Sequence, residues 1–199
     1  MKIKKIIIIL VCLMILFVAG NIIISSKSQV DMGESNIETE KEDETGENEP
    51  LNLGQFAAET LEGDTITHDF FAKEKLTMIN VWATFCGPCK IEMPGLGNLD
   101  REIEDFQVMG VVMDVLNQDG TINTEQIEAA KELQKLTNVH YPSAILNENL
   151  ARLGFAQISS YPTTLFVDAE GNIVGDLVVG ARDEDDWREI IEERKAAVK

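Results

Sequence analysis

Two cysteines two residues apart carry the clearest chemical signal in the sequence. Cys86 and Cys89 stand in the stretch VWATFCGPCKIEMP, directly after an apolar run. A Cys-x-x-Cys that opens a helix sets its first thiol at the helix N-terminus, where free N–H groups and the helix dipole stabilise a thiolate. The second thiol lies one turn further in, close enough to form a disulfide. The spacing therefore predicts a redox pair, with Cys86 as the exposed nucleophile and Cys89 as the more buried resolving thiol.

Two other uses of a cysteine pair fit the sequence less well. A structural zinc site needs four ligands, usually from a second cysteine or histidine pair, whereas His68 and His140 are isolated and Cys12 lies in a distant apolar segment. A purely structural disulfide would close so small a ring that it would constrain the unfolded chain very little. We therefore expect no metal, and no cofactor other than the Cys86-Cys89 disulfide itself.

Three neighbouring residues have properties that suit this chemistry. Glu92 follows Cys89 by one helical turn and can reach the same side of the helix. Partial burial would raise its pKa towards the working pH, which suits acid–base catalysis; the alternative is a solvated surface glutamate. Pro88 stiffens the turn and has no N–H to leave unsatisfied. Trp82 is interpreted as a wall beside the site, with an ordinary core tryptophan as the alternative.

Hydrophobic periodicity predicts the elements that hold these residues. A first hairpin is predicted with its turn at Glu62-Gly63-Asp64. Two of the helices have apolar residues at helical spacing that we expect to face the core: positions 127, 130, 133 and 136 in one, and 187, 190 and 191 in the other. Buried strands are predicted at 76–83 and 106–115, helices at about 86–104, 123–137, 147–155 and 184–197, and a second hairpin at 163–180 with its turn at 169–172. This order predicts an α/β fold, a mixed central sheet flanked by helices on both faces.

Composition divides the 199 residues into three parts. We predict that residues 1–27 are an N-terminal transmembrane anchor or uncleaved signal, that 28–50 are an acidic disordered linker, and that 51–199 are a folded domain. The linker has almost no large apolar residues, so it cannot offset the entropy of ordering. The net charge of -18 argues against nucleic acid, whose phosphates require lysine and arginine.

The N-terminal segment has the length of a membrane span. Lys2, Lys4 and Lys5 precede an apolar run from Ile6 to Ile24, which as a helix would reach about 28 Å, close to the ~30 Å hydrocarbon core. Basic residues remain in the cytoplasm, so the rest of the chain is expected outside, on a single-pass anchor in the cell membrane. Cleavage near Val18-Ala19-Gly20 is the alternative.

The stretch WATFCGPCK resembles the active site of the thioredoxin superfamily, and the wider pattern is similar to the membrane-anchored TlpA/ResA-type thiol-disulfide oxidoreductases. The similarity spans about Leu51 to Ala197 and includes INVWATFCGPCKIEMP, a helical insertion near 123–138, and SSYPTTLFVDAEGNIV. It implies a thioredoxin fold with an N-terminal β-hairpin and a helical insertion. It also implies that Pro162, after Tyr161, is a cis-proline whose neighbouring backbone receives the substrate peptide.

The resemblance assigns further roles and shows departures. Thioredoxins carry an aspartate at the position of Asn80, and TlpA/ResA-like proteins are thought to use the glutamate at Glu92 for the proton of the second cysteine. Phe85 stands where most relatives have tryptophan, and the Gly-Pro between the cysteines differs from the dipeptides common in the membrane-anchored branch. Gly-Pro favours a reducing potential, which is about -270 mV in thioredoxin. Catalytic residues are thus predicted as Cys86, Cys89 and Glu92, and substrate-binding residues as Tyr161, Pro162, Trp82, Phe85, Gly87 and Pro88.

The resemblance implies an extracytoplasmic enzyme that reduces disulfides in exported proteins and is re-reduced by a membrane electron donor of the CcdA/DsbD type. Apocytochrome c, another thiol protein or an extracellular methionine sulfoxide reductase are possible substrates. Two alternatives remain: a disulfide-donating oxidase on the same fold, and a Sco-like copper-binding assembly protein, for which only His140 could serve. A peroxiredoxin-like peroxidase fits less well, because Thr84-Phe85-Cys86 lacks the T-x-x-C spacing.

Overall fold

A mixed five-stranded sheet organises residues 51–198, the part of the chain that the computed structural model describes. The sheet has the order β5-β4-β3-β6-β7, in which β3, β4 and β5 are parallel and β6 and β7 each run antiparallel to the preceding neighbour. A separate antiparallel pair, β1-β2, forms the predicted N-terminal hairpin. The strands are β1 Ala57–Glu59, β2 Thr65–Thr67, β3 Leu76–Trp82, β4 Phe106–Val112, β5 Ser143–Ile145, β6 Thr163–Asp168 and β7 Val178–Val179.

Helices cover both faces of the sheet, as predicted. The α-helices are α1 Gly87–Glu102, α2 Thr124–Leu136, α3 Glu148–Arg152 and α4 Glu184–Ala197, and 3₁₀ helices span His68–Lys73 and Phe155–Gln157. Side chains of α1, α2 and α4 share one core cluster, whereas the β1-β2 hairpin, the first 3₁₀ helix and α3 share the other. The predicted α/β thioredoxin fold is confirmed.

Strand β3 lies at the centre of the sheet and leads directly to the cysteines. Every one of its residues is buried, which explains its nearly continuous apolar sequence. Met78 and Trp82 pack in the cluster on the α1 side, while Ile79 and Val81 pack in the other cluster. Because alternate side chains face opposite sides, Asn80 points towards α1, where it is a polar group within an apolar core.

Side-chain caps determine where the helices begin. Asn123, Asn147 and Asp183 each accept a backbone N–H of the first turn of α2, α3 and α4. Such caps satisfy N–H groups that have no partner within the helix. Helix α1 differs, because its N-cap is Cys86.

The helical insertion contains one prediction that is wrong. Leu136, expected on the core face of α2, is 74% exposed, whereas Gln134 is buried. At 100° per residue, position 136 lies about 180° around the helix from Ile127, whereas 134 lies two turns along the same face. Gln134 satisfies its amide by donating to Ser143 Oγ (3.1 Å) and to the carbonyl of Tyr141 (3.3 Å).

The strands also differ from their predicted limits. In the predicted 163–180 hairpin, the strand that follows the turn at 169–172 is interrupted. Ile173 forms a single bridge with Val167 of β6, and pairing with β6 resumes only at β7. Gly175, with φ of +72°, lies in the interruption, where the guanidinium of Arg194 packs against its backbone. Strand β4 ends three residues earlier than predicted. Short β5 and the first 3₁₀ helix were not predicted.

The predicted anchor at 1–27 and linker at 28–50 lie outside the described residues, and the three-part division of the chain stays a prediction. Within residues 51–198, none of the helices has both the length and the apolar character needed to cross a membrane.

Candidate active site

Cys86 and Cys89 form a disulfide at the N-terminus of α1. Their Cα atoms are 5.3 Å apart, and Cys86 Sγ accepts the backbone N–H of Cys89 at 3.1 Å. Pro88 occupies the first turn, where its missing N–H leaves nothing unsatisfied. The first cysteine therefore takes the capping position in which a thiolate interacts with free N–H groups and the helix dipole.

The two sulfurs differ in accessibility, although less than predicted. Cys89 is fully buried, and Cys86, expected to be exposed, retains only 5% of its surface. The disulfide and the Cys89 N–H draw the Cys86 sulfur in over the helix end, which explains the small exposure. Cys86 is still the more accessible of the two cysteines.

The loop between β3 and α1 is held by Asp114, which sequence reasoning did not single out. Its carboxylate accepts the backbone N–H of Thr84 at 3.0 Å and the Thr84 hydroxyl at 2.6 Å. Asp114 follows β4, whose parallel pairing with β3 brings the two strand ends to the same edge. The position of Cys86 is therefore fixed from both neighbouring strands.

Glu92 is buried one helical turn beyond Cys89, with 3% of its surface accessible. Burial raises the pKa of its carboxyl, and hydrogen bonds from Asn80, Trp187 and Arg182 offset part of that rise. The alternative of a solvated surface glutamate is thereby excluded. A buried carboxyl with a raised pKa is the kind of group that serves in general acid–base catalysis.

The three hydrogen-bond partners of Glu92 come from β3, from α4 and from the loop that precedes α4. Asn80 Nδ2 in β3 donates to Glu92 Oε1 at 2.9 Å and to Thr164 Oγ1 in β6 at 3.1 Å. Trp187 Nε1 in α4 and the backbone N–H of Arg182 donate to Oε2 at 3.1 and 3.3 Å. Sequence reasoning expected Trp187 only as a core residue. A buried tryptophan usually needs a hydrogen-bond acceptor for its indole N–H, and this need is the sequence signal that could have suggested a contact between Trp187 and a polar residue of the site.

Most of the predicted substrate-binding residues lie around the disulfide. Phe85 is 71% exposed, and its ring meets Tyr161 edge-on at 6.1 Å. Gly87 and Pro88 are exposed between the cysteines. The Tyr161-Pro162 peptide bond is cis, as predicted, and Pro162 itself is buried. Their role in substrate binding stays a prediction.

Trp82 does not form part of this surface. Its side chain is fully buried, and its indole N–H donates to Ser143 Oγ at 3.3 Å. The expectation that Trp82 contacts substrate is wrong, because its side chain is enclosed in the core cluster and its indole N–H reaches across β4 to β5. The alternative interpretation, a core tryptophan, describes it.

His140 lies far from the cysteines. It is exposed and contacts Asn138, and it lies close enough to Asp100 to oppose the rise that burial imposes on that carboxyl's pKa. Asp100 is near the C-terminal end of α1, about 20 Å along the helix from Cys86. The histidine that a Sco-like copper site requires is therefore at the opposite end of the helix from the thiols.

The fold and the cysteine pair agree with a comparison against known families. The model of the AhpC/TSA family matches residues 52–175. The chain belongs to the AhpC/TSA family. The match includes the hairpin, the cysteines, Glu92 and the Tyr161-Pro162 loop of this AhpC/TSA member, and it ends before α4.

This AhpC/TSA protein is similar to relatives that are named as thioredoxin-like proteins or thiol-disulfide oxidoreductases. It is 30% identical to the thioredoxin-like protein YneN of Bacillus subtilis over 72% of this chain and 78% of the relative. It is 29% identical to the thiol-disulfide oxidoreductase ResA of the same organism, over 51% of this chain and 52% of ResA. The structure of a thioredoxin-family thiol:disulfide interchange protein from Chlorobium tepidum covers 74% of this chain and 97% of its own, with 24% identity and a TM-score of 0.61.

The resemblance to the TlpA/ResA type is thus confirmed, and this AhpC/TSA member is a thiol-disulfide oxidoreductase. Its reacting group is the Cys86-Cys89 pair, and its substrates carry disulfides. The arrangement can cycle between a dithiol and a disulfide, and Glu92 is buried one helical turn beyond Cys89.

Proposed function

We propose that the protein is an extracytoplasmic protein-disulfide reductase, anchored by its N-terminal segment and re-reduced by a membrane donor of the CcdA/DsbD type. The observation that carries the chemistry is the capping position of Cys86, whose sulfur accepts the Cys89 N–H at the start of α1. That position stabilises the thiolate that must attack a substrate disulfide.

The reaction transfers two electrons from the dithiol to the substrate. The Cys86 thiolate attacks one sulfur of the substrate disulfide, and the other sulfur leaves as a thiolate, which gives a mixed disulfide. Cys89 gives up its proton to Glu92, directly or through water, and attacks Cys86. The mixed disulfide breaks, the substrate leaves as a second thiolate, and the Cys86-Cys89 disulfide remains until the membrane donor reduces it.

Two features of the sequence support the direction and the location. The Gly-Pro dipeptide between the cysteines is that of thioredoxin, whose reduction potential of about -270 mV is at the reducing end of the scale. The basic start followed by the apolar run Ile6 to Ile24 favours export of everything that follows. Apocytochrome c, other thiol proteins and extracellular methionine sulfoxide reductases remain the candidate substrates.

Substitution of the cysteines tests the chemistry. We expect Cys86→Ser to abolish reduction of insulin disulfides, because a hydroxyl at the helix end does not ionise near neutral pH. We expect Cys89→Ser to lose turnover as well but to retain the first step, so that mixed disulfides with substrates accumulate. Mass spectrometry of the trapped complexes identifies the physiological partner.

The double variant that replaces both cysteines is the control for trapping, because it should capture nothing. Circular dichroism of each variant confirms that the fold is retained. Turnover by Cys86→Ser at the rate of the unaltered protein contradicts the scheme.

The reduction potential distinguishes the reductase from the oxidase. Equilibration with glutathione buffers should give a value below about -230 mV, whereas a value well above about -180 mV favours a disulfide donor. Labelling of intact cells with a thiol reagent that does not cross membranes tests the location separately. Cys86 in the Cys89→Ser protein should react without permeabilisation, and protection until the cells are opened contradicts an extracytoplasmic site.

A further inference from the structure

The carboxylate of Glu92 is surrounded by hydrogen-bond donors. Oε1 accepts from Asn80 Nδ2 at 2.9 Å, and Oε2 accepts from Trp187 Nε1 at 3.1 Å and from the backbone N–H of Arg182 at 3.3 Å. All three partners are N–H groups, which favour an ionised carboxylate. The donors therefore oppose the effect of burial, which favours the protonated form.

Trp187 supplies the side-chain donor on Oε2, and its position is fixed by packing. The ring is fully buried and meets Phe166 of β6 edge-on, with 6.4 Å between ring centroids. An indole N–H can donate but cannot accept. Its contact with Glu92 joins α4 to α1 across 95 residues of sequence.

The two carboxylate oxygens of Glu92 differ in their ability to carry a proton. A proton on Oε2 would face two N–H donors that cannot accept it. Oε1 faces the amide of Asn80, whose own Oδ1 is buried and has no hydrogen-bond partner among the described residues. Rotation of that amide brings Oδ1 to Oε1, where it can accept an O–H from a protonated Glu92.

We propose that Trp187 is a positioning residue for the second thiol-exchange step: its indole N–H holds Oε2 of Glu92 and leaves Oε1 as the oxygen that receives the proton of Cys89. This inference rests on the proposed role of Glu92. In that step the S–H proton of Cys89 passes to Oε1, the Cys89 thiolate bonds to the Cys86 sulfur, and the bond from Cys86 to the substrate breaks.

Other charged and titratable groups also act on Glu92. Arg182 attracts the carboxylate. Asp183 and Glu184, at the start of α4, line the same crevice as Glu92, and buried Tyr141 is close enough for Glu92 to contribute, after burial, to raising the pKa of its hydroxyl. A substitution at Trp187 leaves all of these groups in place, but it also alters the burial that raises the pKa of Glu92, so the test requires a packing control.

Trp187→Phe tests the inference. Reduced protein is mixed with an aromatic disulfide that releases one coloured thiolate when Cys86 attacks and another when Cys89 resolves the mixed disulfide. Loss of one hydrogen bond to a charged group should move the midpoint of the second phase upwards by about one pH unit. The pH dependence of the first phase should stay unchanged. An unaltered midpoint for the second phase overturns the proposal.

Matched variants separate positioning from packing. Ile191→Val alters a fully buried residue one turn along the same helix and should lower stability without moving either midpoint. In Glu92→Gln the second phase should lose this pH dependence, and adding Trp187→Phe should then cause no further shift. If the second phase of Glu92→Gln keeps the pH dependence of the unaltered protein, the role proposed for Glu92 is wrong. If Glu92→Gln loses that pH dependence but Trp187→Phe leaves its midpoint unchanged, only the role proposed for Trp187 is wrong.

The unaltered protein provides a measurement that does not depend on a variant's folding. The chain has two tryptophans, and their indole N–H resonances can be followed with pH. The Trp187 resonance should titrate with Glu92, whereas that of Trp82, which donates to Ser143, should not follow the same curve. A Trp187 resonance that ignores the ionisation of Glu92 overturns the proposal.

Discussion

At the scale of single residues, the active site combines a partly accessible thiol with a buried acid. Cys86 occupies the N-cap of α1, where its sulfur accepts the Cys89 N–H. Cys89 and Glu92, further along the same helix, are buried in the core. Asn80 is central to this enclosure, because its amide can present either a donor or an acceptor to Glu92. An aspartate at the same position would place a second carboxylate 2.9 Å from the first.

Glu92 should make the protein less stable as the pH rises. Because burial raises the pKa of Glu92 in the folded state, the group's contribution to stability is complete below its unfolded pKa of ~4.3 and is lost as the pH rises through the folded pKa. Glu92→Gln, whose amide can donate to a rotated Asn80, should escape this loss. Its free energy of unfolding relative to the unaltered protein should therefore increase between about pH 4 and about pH 8.

Urea denaturation at several pH values measures this difference. Glu189→Gln, which removes an exposed carboxylate from α4, is the control and should show a much smaller change. A difference between Glu92→Gln and the unaltered protein that is constant with pH would contradict the prediction.

At the scale of elements, the close approach of β4 and β5 depends on a glycine. Gly110 pairs with Asn80 on one side and with Ser143 on the other. A methyl group at Gly110 would collide with Ser143 Oγ and would lie 3.0 Å from Trp82 Nε1. The absence of a side chain allows Ser143 to accept hydrogen bonds from both Trp82 and Gln134.

Gly110→Ala should consequently destabilise the domain by about 2 kcal/mol or more, through overpacking and loss of the Ser143 hydrogen bonds. Urea denaturation measures the effect. Gly87→Ala is the matched control, because a Cβ there meets nothing within 4 Å. Equal stability of the two variants would show that β5 can move away at no cost.

Much of the fold could be predicted from local sequence signals. The central strand β3, the start of α1 at Cys86 and the whole of α4 follow from apolar runs, caps and helical periodicity. Three-residue β5 is too short to have a periodicity of its own, and only pairing with β4 makes it a strand. The burial of Gln134 depends on a serine that this pairing brings near, so the helical pattern alone favoured Leu136.

The site was predicted to a similar extent. Cys86, Cys89 and Glu92 are separated by short intervals within one helix, and the pattern of that helix therefore identifies them together. Trp187 and Asp114 reach the site through tertiary packing of α4 and β4. Local sequence contains no information about such contacts beyond the general need of a buried polar group for a partner.

At the scale of the whole molecule, charge should influence the choice of substrate. The formal net charge is -18, so a positively charged disulfide substrate should associate faster than an acidic one. For two peptides that differ only in the charge flanking the disulfide, we expect about a tenfold difference in kcat/KM at low salt. The difference should shrink above roughly 0.15 M ionic strength.

Steady-state assays at two salt concentrations check this expectation. An uncharged small disulfide is the control, since its rate should vary little with salt. If the acidic and basic peptides react equally fast at low salt, the field of the molecule does not reach the site.

The contact between Glu92 and Trp187 has a consequence for biosynthesis. The two residues are 95 positions apart, and a chain emerges from the ribosome N-terminal end first. A nascent chain therefore presents its thiols before the helix that carries Trp187 has been made. If Glu92 and Trp187 act as proposed, we expect full exchange activity only after the C-terminal helix has docked, so a prematurely terminated polypeptide would carry the Cys-Gly-Pro-Cys sequence without this hydrogen bond.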